Sequence, residues 1–255
     1  MRSVGAGLLL LLASALPASA EQLIIALSTN NIRIDSGFTG DALTVFGVVE
    51  RDAATVSRNS PYEIAVLVKG PIDTVVVRRK EPLLFFWVNR ASETFTAAPS
   101  YYALNSTGPL EEIATRPLLQ RLGLGFDNVP LQVSDAAEQA TDSDFREAFI
   151  RLRSEAGLYS ESDDGVDFIG TSDSVFRTAA WIPSNAPDGR YTIEVYLFSG
   201  EVFLARQQAT LHVTKVGFEQ FMFEASHNRA LLYGLACVLL ALFTGWLAGV
   251  VFRRD

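Results

Sequence analysis

Over residues 21–106, short apolar segments rich in Val, Ile and Phe are separated by clusters of Gly, Pro, Asn and Asp. Segments of this kind predict β-strands. Seven are expected, at 23–27, 32–34, 43–49, 62–68, 74–78, 84–88 and 101–104. Seven strands in about 85 residues is the density of an immunoglobulin-like β-sandwich. The pattern predicts such a sandwich over 21–106.

Residues 107–160 are predicted to be a helical insertion. Pro109 can begin a helix whose first turn carries Glu111 and Glu112, and Arg116-Pro117 should break or kink it. A second helix should begin at Asp142 or Ser143 and end at Gly157. Its expected buried stripe consists of Phe145, Ala148, Phe149, Leu152 and Ala156.

The pattern returns to β over 161–216, with strands from Val166 onward and at 175–182, 191–198 and 202–213. Residues 217–229 follow as a juxtamembrane helix, because Phe218, Phe221, Met222 and Ala225 share one helical face. The fold class is therefore mainly β: one or two immunoglobulin-like sandwiches with a helical insertion, followed by one transmembrane helix.

Two apolar segments frame these regions. Residues 1–20 resemble a secretory signal peptide, with Arg2, a short apolar run, Pro17 and small residues at 18 and 20. Cleavage before Glu21 is expected, and the alternative is an uncleaved anchor. An anchor is less favoured because the apolar run is shorter than the roughly 17 to 25 residues that span a bilayer.

Residues 230–252 are uncharged and, at about 1.5 Å per residue, reach roughly 35 Å, enough to cross the hydrocarbon core. This segment predicts a single transmembrane helix with residues 253–255 as a cytoplasmic tail. With the signal peptide it predicts a bacterial inner-membrane protein whose N-terminal domain lies in the periplasm. Such a tail is too short for a domain, so contact with the cytoplasm would pass through another membrane protein.

The formal net charge of −8 argues against nucleic acid and against anionic lipid headgroups as partners, because both would need basic patches. The one cysteine, Cys237, lies within 230–252, so the preceding domain has no disulfide and no thiolate nucleophile. Cys237 is expected to be a small apolar packing residue.

Candidate chemistry is sparse. His212 falls in a predicted strand, where a satisfied strand residue is the favoured interpretation, and His227 lies beside the apolar segment; neither has a second metal ligand at suitable spacing. The acidic stretch 161–165 does not fit a calcium loop, since Ser160, Ser162 and Thr171 occupy ligand positions, and a solvated turn is expected. No catalytic residue, metal ligand or cofactor site is predicted.

Arg78, Arg79 and Lys80 form a basic triplet in an acidic chain, before the aromatic run 85–87. Because adjacent strand residues point to opposite faces, only Arg78 and Lys80 can act together. They are a possible contact for a small anion or an acidic partner. Protection of a strand edge against aggregation is the alternative.

Small residues recur along one face of the predicted transmembrane helix: Ala230, Gly234, Cys237, Ala241, Gly245 and Gly249. Helices in lipid associate by close backbone approach, so this small-residue face predicts packing against another helix. The alternative is that small residues are simply common in membrane spans.

Several short motifs also resemble those of a known family. They include Phe38-Thr39-Gly40, Lys69-Gly70-Pro71, Trp87-Val88-Asn89, Gly189-Arg190-Tyr191-Thr192, Lys215-Val216-Gly217-Phe218-Glu219 and Gly245-Trp246-Leu247-Ala248. The chain is similar, over nearly all of residues 21–255, to the alphaproteobacterial putative transmembrane protein family. The resemblance implies a single-pass inner-membrane protein, transfers no catalytic residue, and implies a link to exporters of sulfite or organosulfonates.

The expected function is that of a non-enzymatic, membrane-anchored periplasmic module that assists a multispanning membrane protein such as a transporter. Its expected partners are an integral membrane protein, or a second copy of the chain, and the lipid bilayer. The alternative is a periplasmic small-anion capture domain or an enzyme. A deep pocket lined by convergent polar groups would favour that alternative.

Overall fold

Strands dominate the chain, of which the computed structural model describes residues 21–50, 60–83, 85–134, 143–170, 174–217 and 230–251. The strands are β1 Gln22–Leu27, β2 Asn31–Ile34, β3 Asp41–Glu50, β4 Tyr62–Lys69, β5 Ile72–Leu83, β6 Phe86–Pro99, β7 Tyr102–Ser106, β8 Tyr159–Ser162, β9 Val166–Phe168, β10 Val175–Ile182, β11 Gly189–Ser199 and β12 Val202–Lys215. A strand is present at each of the seven places predicted in 21–106, and the mainly β class is confirmed. In the strand predicted at 84–88, Leu84 lies outside the described residues and Phe85 belongs to a turn. β8 was missed, because it straddles the boundary at residue 160 between the predicted helical insertion and the second β region.

The strands form two large sheets and one two-stranded arm. Sheet A has the order β1-β3-β10-β9 and is antiparallel throughout. Sheet B has the order β2-β12-β11-β4-β7-β8, with parallel pairs at both edges, β2 with β12 and β7 with β8. Both sheets mix strands from 21–106 with strands from 161–216. β5 and β6 pair only with each other and form the arm.

The core lies between the sheets and continues on the far side of sheet B. In β3, Leu43 and Val45 are buried while alternate residues are exposed, as expected of a strand with one solvated face. In β4, residues 64–68 are all buried, because sheet B is covered on both faces. The Asn105 side-chain amide joins the sheets by donating to Thr178 Oγ1 at 2.7 Å and to the Ala179 carbonyl at 3.0 Å.

Short helices cover the second face of sheet B. They are α1 Leu110–Ile113, α2 Arg116–Leu122 and α3 Ser143–Glu155, with a 3₁₀ turn at Phe126–Asn128. The predicted break at Arg116-Pro117 is confirmed: Ala114 is extended, and Pro117 lies in the first turn of α2, where its missing N–H costs nothing. Gly123 ends α2 in a left-handed conformation.

The buried stripe predicted for α3 is partly wrong. Phe145 and Phe149 are buried, but Leu152 is 52% exposed and Ala156 is also exposed. The covered side of α3 includes Arg146, whose guanidinium donates to the carbonyls of residues 126, 127 and 129 at 2.9–3.1 Å. A polar residue thus occupies part of the face assigned to apolar ones. Gly157, with φ +70°, follows the end of α3 as predicted.

The C-terminal apolar segment is helical over α4, Ala230–Val251. Judged by length and hydropathy together, none of the helices in the described ranges qualifies as a membrane span. The predicted signal peptide, Asp142, His227, all of the predicted juxtamembrane helix except Gly217, and the predicted tail lie outside the described residues.

Candidate interaction site

The arm is the distal half of one long hairpin. β4 and β7 pair in sheet B, and their ladder continues through Gly70 N–H donating to the Tyr101 carbonyl (2.8 Å) and Ser100 N–H donating to the Pro71 carbonyl (2.9 Å). β5 and β6 extend this ladder to the pair Leu83 and Phe86. Twelve strand residues at about 3.3 Å each give an arm roughly 40 Å long.

Gly70 makes the transition from sheet to arm possible. A Cβ atom at this position would lie 2.7 Å from Ser100 Oγ and 2.9 Å from the backbone nitrogen of Tyr101. Both distances are shorter than van der Waals contact, so the two strands approach this closely only with glycine at position 70.

The proximal part of the arm is held by α3 and by the segment after the 3₁₀ turn. The rings of Phe95 and Phe149 lie 5.4 Å apart, and the Arg79 guanidinium lies 4.8 Å above the ring of Phe145. Thr96 N–H donates to the Gln132 carbonyl, and Ser134 N–H to the Thr94 carbonyl. These contacts attach the arm to the body of the domain on one side.

Three aromatic side chains stand in solvent at the tip. Phe85 is 93% exposed, Phe86 74% and Trp87 70%. Consecutive exposed aromatics form an apolar patch of the kind that marks interaction surfaces in folded proteins. We call residues 85–87 the aromatic tip.

The basic triplet lies on the arm below the aromatic tip, in the middle of β5, whereas a strand ending at Arg78 was predicted. Arg78 and Lys80 are exposed, and Arg79 turns towards α3, where it also lies 3.5 Å from Asp144. A bulge places Arg90 as an extra residue of β6 opposite this region. Between 78 and 90 the arm has four basic residues and one acidic residue, Glu81, in a chain of net charge −8.

The predicted helix-packing residues lie on α4. An added Cβ at Gly234 or Gly245 would meet no atom within 4 Å, and Cys237 is exposed. Ala230 and Ala241 are exposed as well, and Gly249 is in the same helix. The small-residue face is therefore open along the described part of α4.

A buried ion cluster on sheet B was not predicted. Glu194 is buried, and its Oε2 accepts from Lys69 Nζ (2.8 Å) and the Tyr196 hydroxyl (2.7 Å), while Oε1 accepts from Arg206 (2.6 Å). Burial alone would raise the pKa of Glu194, but the bonds from Lys69 and Tyr196 and the charges of Lys69 and Arg206 outweigh burial and lower it. Both carboxylate oxygens are engaged, so Glu194 is not placed to act as a general base.

A cavity of about 300 Å³ adjoins this cluster. Lys69, Glu194, Thr192, Gln132 and Gln208 contribute its polar lining. The cluster carries two cations against one carboxylate, which leaves one excess positive charge beside the cavity.

A larger open cleft of about 840 Å³ lies between α1, α2 and β8 and is acidic. Its lining includes Glu161, whose Oε2 accepts from the Phe126 N–H at 2.9 Å. Burial raises the pKa of Glu161; the Phe126 N–H opposes this, and the charges of Asp163 and Asp127 reinforce it. In the described parts of the chain, no three His, Cys, Asp or Glu side chains group closely enough to hold a metal. His212 is exposed on β12, with its backbone N–H bonded to the Asn30 carbonyl.

Comparison with known proteins adds a family assignment. No curated protein matches the chain. A family model described as "Putative transmembrane protein (Alph_Pro_TM)" matches residues 22–254, which include both sheets, the arm and α4. The chain therefore belongs to this alphaproteobacterial family of putative transmembrane proteins.

Proposed function

We propose that this protein is a non-enzymatic, membrane-anchored accessory module that assists a multispanning inner-membrane protein such as a transporter. In this proposal the β domain lies in the periplasm, residues 230–252 cross the membrane once, and residues 253–255 are cytoplasmic. Membership of a transmembrane protein family supports the membrane location. The resemblance of residues 1–20 to a signal peptide supports export of the domain.

None of the described helices qualifies as a membrane span by length and hydropathy, so the proposed span rests on other observations. It is supported instead by the sequence of residues 230–252, which contains no charged residue. The helix Ala230–Val251 has 22 residues, about 33 Å at 1.5 Å per residue, close to the thickness of the hydrocarbon core.

One observation carries the accessory role: the small-residue face of α4 is open. Gly234 and Gly245 leave room for a second helix to approach the backbone closely. Leu239, Leu242 and Phe243 are exposed elsewhere on α4, which suits contact with lipid. A multispanning protein is the favoured partner, and a second copy of the chain is the alternative.

We also propose that sheets A and B form an immunoglobulin-like sandwich. The antiparallel pairing of β3 with β10 and of β4 with β11 supports this assignment. The parallel edge strands β2 and β8 and the arm are additions to that architecture.

The accessory role can be tested by purifying the full-length protein from its native membrane in mild detergent. A multispanning protein should copurify with the wild type and be lost with Gly245→Ile/Gly249→Ile. Phe243→Ile/Leu247→Ile is the matched control, because these residues lie on the opposite side of α4 and should retain the partner. Recovery of the same partner with all three proteins would refute the role of the small-residue face.

The second candidate function is capture of a small anion, favoured by the excess positive charge of the Lys69, Glu194 and Arg206 cluster beside its cavity. Sulfite, sulfate or a short sulfonate can be titrated into the full-length protein by calorimetry. Saturable heat that disappears with Arg206→Gln would favour capture over the accessory role.

A further inference from the structure

The aromatic tip and the basic residues below it together have the composition of a membrane-surface contact. Phe and Trp are favoured at the boundary between headgroups and acyl chains, and basic residues nearby bind anionic phosphates. Phe85, Phe86 and Trp87 are the apolar part, and Arg78 and Lys80 are the exposed cations. We infer that the arm inserts its tip into the surface of a bilayer with anionic headgroups.

The base of the arm lies at the end of sheet B from which the chain continues towards α4. Lys69, the last residue of β4, pairs with Thr192 near the start of β11. The start of β11 pairs in turn with Val213 near the end of β12. Beyond β12 the chain runs to α4. The arm therefore leaves the domain at its membrane-side end, a step that relies on the proposed membrane span.

The length of the arm is within the longest reach of the segment between β12 and α4. Fourteen residues, 216–229, separate β12 from α4, and a chain of that length can reach at most roughly 50 Å. The arm reaches about 40 Å from its base. A domain tethered by this segment can therefore place the aromatic tip at the same membrane that holds α4.

Cations beside exposed aromatic side chains favour a lipid surface over an acidic soluble partner. Arg79 contacts α3 of the same domain at Phe145 and Asp144, whereas Arg78 and Lys80 point into solvent. Without local cations an acidic chain would be repelled by anionic headgroups. The arm concentrates its positive charge next to the apolar residues, an arrangement that combines electrostatic attraction with insertion.

Spin labels in the full-length protein, reconstituted in vesicles of phosphatidylethanolamine and phosphatidylglycerol, can test the inference. In a Cys237→Ala background, single cysteines are placed at the tip (Phe85→Cys), in α4 (Leu242→Cys) and at the opposite end of sheet B (Ser60→Cys). Electron paramagnetic resonance then compares the accessibility of each label to oxygen, enriched in lipid, and to a water-soluble nickel chelate.

The ratio of oxygen accessibility to nickel accessibility should be several-fold higher for the labels at 85 and 242 than for the label at 60. Arg78→Gln/Lys80→Gln should lower the ratio of inserted to aqueous label at 85, by roughly fivefold for each charge removed. The label at 242 should not change.

Four outcomes would overturn the inference. A label at 85 that stays in water while 242 is in lipid leaves the membrane anchor intact and removes the tip contact. A label shielded from both oxygen and nickel would indicate a protein partner. Insertion at 85 that is equal in phosphatidylcholine vesicles and unaffected by Arg78→Gln/Lys80→Gln would remove the role of anionic headgroups. Aqueous labels at both 242 and 85 would contradict the anchor as well.

Discussion

Glu194 and Arg206 form a 2.6 Å ion pair between neighbouring strands of sheet B, in which the Glu194 side chain is buried and the Arg206 side chain is 44% exposed. Lys69 and the Tyr196 hydroxyl complete the environment of the carboxylate. The cluster therefore links three adjacent strands, β4, β11 and β12, through one buried charge. The residues of the cluster should therefore contribute unequally to the free energy of unfolding.

Glu194→Ala should lower the free energy of unfolding by about 2–3 kcal/mol, because two cations lose their buried partner. Arg206→Gln should cost about 1 kcal/mol, since Arg206 is partly screened by solvent. Urea unfolding of the full-length protein in detergent measures both. Glu155→Gln is the control: it breaks a solvent-exposed ion pair with Arg151 and should change stability by less than about 0.5 kcal/mol. Equal losses in all three variants would contradict this role.

As pH falls, the difference in unfolding free energy between wild type and the Gln variant should rise for Glu161 and shrink for Glu194. The pKa of Glu161 is raised in the folded state, so the folded chain binds that proton more tightly. Wild type should then gain stability relative to Glu161→Gln as pH falls through the raised pKa, and the gain is complete below the ordinary unfolded value of about 4.3.

The pKa of Glu194 is lowered, so its contribution is present above that ordinary value and is lost as pH falls through the folded pKa. The advantage of wild type over Glu194→Gln should therefore shrink in acid. Unfolding free energies of wild type and both variants between neutral and acidic pH give the two differences. Parallel profiles would contradict the assigned shifts.

Gly47→Ala should destabilise sheet A by about 1–3 kcal/mol through overpacking. A Cβ at position 47 would lie 2.1 Å from the ring of Phe176, which is fully buried on the paired strand β10. Gly108→Ala is the matched control, because a Cβ there meets no atom within 4 Å. Thermal unfolding followed by circular dichroism compares the two, and a similar shift of Tm in both would disprove the contact.

The contact between Phe95 and Phe149 should couple the arm to α3. A double-mutant cycle with Leu at each position should give a coupling energy of about 0.5–1.5 kcal/mol. Phe149→Leu should also speed proteolytic cleavage within the arm, because the ring supports β6. A cycle between Phe95 and Phe176 serves as the comparison and should give a smaller coupling. Equal coupling in both cycles would contradict a specific contact.

Sequence periodicity predicts the strands well but not their partners. Each predicted strand in 21–106 is decided locally by alternation and by turn residues. The pairing of β3 with β10 joins residues more than a hundred positions apart, and nothing in either segment specifies it. Continuous apolar runs such as residues 64–68 indicate burial on both faces, but not which elements cover them.

The candidate site was only partly visible in the sequence. Arg78 and Lys80 are exposed and Arg79 turns towards α3, as strand alternation predicts. That Arg78 and Lys80 act together in binding remains a prediction. The run Phe85-Phe86-Trp87 has the composition of a buried strand, so its exposure could not be predicted without the length of the arm. Glu194 was missed because one carboxylate in an apolar strand resembles a solvated position until Lys69 and Arg206 are brought beside it.

The parallel pairing of β2 with β12 also affects the order in which the chain can fold. Asn31–Ile34 can pair only after His212–Lys215 have been synthesised. The first and last parts of the domain therefore join at the same step of folding. Pairing over such long separations slows folding, because the loop must close before the contact is gained. Only residues 216–229 then separate the completed domain from α4. Sheet B therefore cannot be complete until only fourteen residues, 216–229, remain to be synthesised before α4 begins.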